Sequence, residues 1–94
     1  METITIKPKD AADVERLLNS PNKLVLHNDN HNSIDHIIFS LIEVCNHGPE
    51  QAEQAATIAH YKGACDVKLG TEEQLKDMAV EMMLRSITVT IETN

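Results

Sequence analysis

From Lys23 to Ile91 the apolar residues of this chain switch back and forth between a period of 2 and a period of 3.6, and that order leaves few folds open. Lys23 to His27 (KLVLH) reads as a strand. Ile34, Ile37, Ile38, Leu41, Ile42 and Cys45 then form an unbroken stripe at helical spacing. Ser33, just ahead of it, can cap the helix by accepting from an otherwise unpaired N–H of the first turn. Asn46-His47-Gly48 ends that helix, and Pro49 suits the first position of a second one. The second helix carries Ala52, Ala55, Ala56 and Ala59 on one side, and Gly63 suits its left-handed end. Cys65, Val67 and Leu69 alternate with Asp66 and Lys68 as a half-buried strand. Thr71 with Gln74 makes a capping box ahead of Leu75, Met78, Ala79, Met82 and Met83, a third amphipathic helix reaching about Arg85. Ile87, Val89 and Ile91, alternating with Ser86, Thr88 and Thr90, give a last strand.

The order is therefore β-α-α-β-α-β, and three half-apolar strands need a cover that the three helices can supply. The fold expected is an α+β two-layer sandwich: a three-stranded antiparallel sheet covered by three helices. Ninety-four residues make one domain. It is expected over residues 23–94, with residues 1–22 as an N-terminal extension, mobile or loosely packed, because Pro8 and Ser20-Pro21 interrupt its short patterns. Phe39 and Tyr61 are the only aromatic residues, so the core must be aliphatic. Cys45 and Cys65 stand in apolar patterns rather than a CxxC pair and read as small core residues of a chain in a reducing, cytoplasmic setting. No apolar run is long enough to cross a membrane, and the N-terminus lacks the pattern of a secretory signal. A net charge of −7 argues against nucleic acid as a partner.

Directly behind the first strand stands an unusual concentration of polar groups. Residues 24–36, LVLHNDNHNSIDH, hold His27, His31 and His36, Asn28, Asn30 and Asn32, and Asp29 and Asp35. From His27 to Tyr61 there is no Lys or Arg, while all five histidines and Asp29, Asp35, Glu43, Glu50 and Glu53 fall there, so a ligand of that region carries positive rather than negative charge. His27, Asp29, His31 and His36 have the chemistry of metal ligands but not the spacing, and the central Gly and final Glu of a calcium loop are missing. No serine or cysteine sits in a nucleophile setting, so catalysis has little to stand on. Asn and Asp also serve plain turns by bonding their own backbone, but six consecutive polar side chains, Asn28 to Ser33, exceed what a turn requires. A set of hydrogen-bond acceptors aimed at a cationic group is the remaining reading.

A strand followed by His27-Asn28-Asp29-Asn30, a helix, a second helix ending His60-Tyr61-Lys62-Gly63, and a strand opening on a cysteine resembles the ClpS family, adaptors of the Clp protease. The resemblance covers about residues 23–92 and rests on two motifs in a fixed order. It implies a non-enzymatic adaptor, without metal or cofactor, that binds proteins bearing large hydrophobic N-terminal residues (N-degrons). Such an adaptor hands its cargo to a hexameric AAA+ unfoldase of the ClpA or ClpC type. By position, Asn28, Asp29 and His60 match the groups that take the peptide's α-amino group. Asn30, Asn32, Ile34, Ile37, Ala56, Ala59 and Ile87 fall around the pocket for the first side chain. The chain departs from the family at Asn30, where Asp is commoner, at Asn32-Ser33, where Thr-Pro is frequent, and at Ala56, where many members carry Met. The last change implies an enlarged or reshaped pocket tolerant of Phe, Tyr and Trp. The alternative is an acidic interaction module of the same fold that does not read N-termini.

Overall fold

The computed structural model describes residues 21–93, so the extension expected over residues 1–22 lies outside the described residues but for Pro21 and Asn22. The elements follow in the expected order: β1 (Asn22–His27), α1 (Ile34–Cys45), α2 (Pro49–Lys62), β2 (Ala64–Gly70), α3 (Glu72–Leu84) and β3 (Val89–Thr93). Local chemistry explains most boundaries. The Ser33 hydroxyl accepts from the His36 N–H at 3.2 Å and starts α1. Asn46, at φ 58°, ends it in the left-handed conformation that Asn tolerates. Pro49 opens α2, and Gly63, at φ 94°, closes it with its N–H on the Ala59 carbonyl. Thr71 and Gln74 exchange both bonds of the capping box at 3.2 and 3.1 Å.

The sheet has the order β2-β1-β3, antiparallel throughout, with β1 in the centre. Leu24 and Leu26 turn toward the helices and are fully buried with Leu41, Cys45, Ala52, Leu75 and Met82 in a single aliphatic core. Cys65 packs against that core half-buried, while the Cys45 thiol lies inside it, where burial pushes its pKa up to about 11.

Strict alternation in β2 fails at one point. Leu24 pairs with Lys68 but Val25 pairs with Asp66, so Val67 is the extra residue of a bulge. The slip moves Leu69, expected to share a face with Cys65 and Val67, to the side of Lys23, outside the core. Lys68 is turned toward the helices instead, and its ammonium reaches the Cys45 carbonyl at the end of α1 at 3.1 Å, where a cation is favoured. His47, buried in the α1–α2 turn, places Nε2 2.7 Å from the Val67 carbonyl at the bulge.

The last strand starts later than its alternation suggests. Arg85 caps α3, Ser86 follows at φ 63°, the Ser86 N–H donates to Met83 and the Ile87 N–H to Met82. Those are the two bonds of a Schellman motif, and Ile87 and Met82 bury the apolar contact that accompanies it. With its N–H committed to the helix end, Ile87 stays outside the ladder, and β3 begins at Val89. Met83, expected on the buried face of α3, is 63% exposed beside exposed Val80 and Leu84.

Two predictions follow from the packing. Ala52 is fully buried, so Ala52→Leu overpacks the core and costs about 1–3 kcal/mol, read as a lowered denaturation midpoint; an unchanged midpoint would contradict the packing. His47 is held below its ordinary pKa of 6.5, first by burial and then by the Lys68 charge, against the opposing bond to Val67. Its Nδ1 is buried without a hydrogen-bond partner. Below about pH 6.5 the unfolded chain thus binds more protons than the folded one, so the stability is present in full above that pH and is lost on acidification. Urea midpoints are expected to fall between about pH 7.5 and about pH 5. His47→Gln, which does not titrate, is expected to flatten that difference, and equal slopes in both proteins would refute the assignment.

Candidate functional site

The end of β1 and the end of α2 meet because β2 leaves α2 through Gly63 and immediately pairs with β1, Ala64 opposite His27. One residue further on, the Asn28 N–H donates to the Gly63 carbonyl at 2.9 Å. The polar loop is thereby fixed beside the last two turns of α2, which carry Ala56, Ala59 and His60.

Asp29 organises the loop. Its Oδ1 accepts from the backbone N–H groups of His31 and Asn32, both at 2.9 Å, and its Oδ2 accepts from Asn32 Nδ2 at 2.9 Å. Burial alone would raise the Asp29 pKa, but these bonds, with the charge of His31, outweigh it and hold the carboxyl below the ordinary 3.8. A carboxylate has about four lone-pair sites, so three donors leave one, on Oδ2. Asn32 Nδ2 also donates to the Ser86 carbonyl at 2.7 Å, tying the loop to the end of α3. His36 Nε2 does the same for the neighbouring Arg85 carbonyl at 2.9 Å. The Arg85 guanidinium donates to Glu43 at 2.8 Å and to the buried Ser40 hydroxyl at 3.4 Å, both on α1.

These elements enclose a cavity of about 30 Å³. Ile37, Ala56 and Ala59, all buried, form its floor, Asn28, Asp29 and His60 its rim, and Asn32, Ile34 and His27 its sides. It opens toward a recess of about 500 Å³ lined by Asp29, Asn30, Asn32, Ile34, Thr57, His60 and Tyr61. The His60 and Tyr61 rings meet edge to face, centroids 4.9 Å apart. Neither lining contains Lys or Arg, and Asp29 is the one carboxylate in both.

Most residues singled out in the sequence converge here. Asn28, Asp29 and His60 share one rim, and Asn32, Ile34, Ile37, Ala56 and Ala59 line the same cavity. Asn30 lines only the outer recess. Ile87 lines neither; it is buried in the core, held there by the helix cap. The inner cavity is also smaller than the loss of bulk at position 56 suggests. Ala56 and Ala59 are 2% and 3% exposed, so the alanine face of α2 has closed onto its neighbours instead of leaving a large void. Its volume matches about one water, well short of the roughly 150 Å³ that holds a benzene ring. The sequence alone does not single out Thr57 and Tyr61, although both fall within one helical turn of His60, and His27, weighed there only as a metal ligand, lines the inner cavity. Among the described residues no three His, Cys, Asp or Glu side chains gather to hold a metal ion, and no helix is long and apolar enough to cross a membrane.

A family model described as "ATP-dependent Clp protease adaptor protein ClpS" matches residues 18–88. The chain therefore belongs to the ClpS family of Clp protease adaptors. Among solved structures it is similar to Agrobacterium tumefaciens ClpS2 bound to L-phenylalaninamide, with a TM-score of 0.74 and 17% identity over 80% of this chain and 98% of that one. No curated protein sequence matches the chain.

Proposed function

We propose that this adaptor captures proteins by their free N-termini, with large hydrophobic first residues, and carries out no chemistry itself. Its cargo goes to a hexameric Clp AAA+ unfoldase of the ClpA or ClpC type, in the cytoplasm. The observation that carries the reading is the shared rim: an amide, a carboxylate and an imidazole around one cavity, with no Lys or Arg in its lining. An α-ammonium brings three donors and one positive charge. Asp29 offers the remaining lone pair of Oδ2, Asn28 an amide oxygen and His60 a ring nitrogen, and the bond to the carboxylate is the charge-assisted, stronger one. The adjoining apolar floor of Ile37, Ala56 and Ala59 gives the first side chain a dry surface.

The similar ClpS2 is bound to L-phenylalaninamide, a free amine with an aromatic side chain, and that supports the same kind of ligand here. A ring exceeds the inner cavity, so it enters by displacing Ile34 (45% exposed) at the mouth toward the outer recess. That is cheap compared with opening the alanine floor, because Ile34 is not held in the core.

The test is a fluorescence titration with a peptide beginning in Phe, once with a free amine and once acetylated. Only the free amine is expected to bind, and Asp29→Ala and His60→Ala are each expected to weaken it by about tenfold or more. Equal binding of both forms would sink the proposal and leave an interaction module of the same fold.

A further inference from the structure

Asn32 stands where its two amide hydrogens join parts of the chain that the sequence keeps far apart. One goes to Asp29 Oδ2 at 2.9 Å and the other to the Ser86 carbonyl at 2.7 Å, while its own backbone N–H holds Asp29 Oδ1. Neither hydrogen is left over. Ser86 occupies the left-handed position of the α3 cap, and the next residue, Ile87, is buried with Met82. The anchor point is therefore rigid, and the loop side of the bridge is the carboxylate that faces the proposed ligand.

We infer that Asn32 is the positioning residue of this socket: it aims the remaining lone pair of Asp29 by tying the carboxylate to the closed end of α3. The inference rests on the reading of the site as an N-terminus socket. A single-donor side chain cannot do the same work. Threonine, frequent in the family at this position, has one hydroxyl hydrogen and serves Asp29 or Ser86, not both. The charged and titratable groups facing Asp29 are His31 on its own loop, His27 at the end of β1, and His60 and Tyr61 from α2 across the cavity and recess. Arg85, on the α3 side, is engaged by Glu43.

The experiment combines peptide titration with a carboxyl carbon NMR titration of Asp29 in the free protein. Asn32→Ala is expected to weaken the free-amine peptide by about tenfold and to move the Asp29 midpoint to higher pH, because the side-chain donor to Oδ2 is gone while the two backbone donors to Oδ1 remain. Asn32→Asp, nearly isosteric but without side-chain donors and with a like charge beside Asp29, is expected to do more of both. Asn32→Thr recovers part of the loss. Ser86→Gly, which relieves the left-handed backbone, separates this role from a merely structural one. If Asn32 only supported the helix end, adding Ser86→Gly to Asn32→Ala would restore affinity; the inference expects no rescue. Normal binding with an unmoved Asp29 midpoint in Asn32→Ala would overturn it, as would full rescue by the glycine. If the unmodified protein binds no free amine, the proposed function fails instead, and the Asp29 midpoint alone still decides whether Asn32 holds the carboxylate.

Discussion

The bond from the Asn28 N–H to the Gly63 carbonyl, 2.9 Å long, is the one on which the site depends. It extends the β1–β2 ladder by one step past the last strand pair and so clamps the polar loop to the end of α2. Gly63 makes this feasible, because at φ 94° the chain reverses from helix to strand without a spacer. A longer connection would let α2 stand off from β1, and His60 would lose its place opposite Asp29. The clamp is backbone to backbone, so it leaves the Asn28 side chain available to a ligand.

The rest of the molecule keeps that clamp from moving. Four buried alanines let α2 settle close to its neighbours, and the aliphatic core below has little room to yield. At the far end of α1, His47 and Lys68 knit the turn to the β2 bulge through the Val67 and Cys45 carbonyls. At the near end, Asn32 and His36 take the Ser86 and Arg85 carbonyls. Both ends of α1 are thus tied to other elements by polar side chains. The polar loop does more structural work than its composition suggests, since Asp29, Asn32 and Ser33 all spend hydrogen bonds inside the protein.

That division explains what was legible in the sequence and what was not. The element order, both side-chain caps, the Pro49 start and the Gly63 end were readable because each is a local rule, decided by residues within one turn of one another. Leu69, Met83 and Ile87 depart from their patterns: a strand bulge turns Leu69 over, the cap of α3 holds Ile87, and Met83 falls on the exposed side of its helix. Leu69 turns over because β2 bulges at Val67, and a bulge leaves no mark in an alternating pattern. Ile87 alternates like a strand residue, yet its N–H belongs to the cap of α3, where Ser86 stands in the place usually held by glycine. At the site, Asn28, Asp29 and His60 were found through family motifs rather than through spacing alone. The volume of the cavity could not be read at all, because removing bulk from one helix face opens a pocket only if the neighbouring helix stays where it was.

Asp29 shows why a loop so rich in amides would suit the cationic ligand proposed for it. A lone carboxylate at the mouth of an apolar cavity would be swivelling and well hydrated, and binding would have to order it and strip its water. Here two backbone N–H groups and one amide hydrogen already fix it and take three of its acceptor sites, so little freedom remains to be lost. The same donors stabilise the charged form against the burial that opposes it. What is left is one lone pair and one full negative charge, aimed at a rim where no Lys or Arg competes. Amide donors do this where ammonium donors could not: Asn32 bonds the carboxylate without neutralising it, so the charge stays available to the proposed ligand.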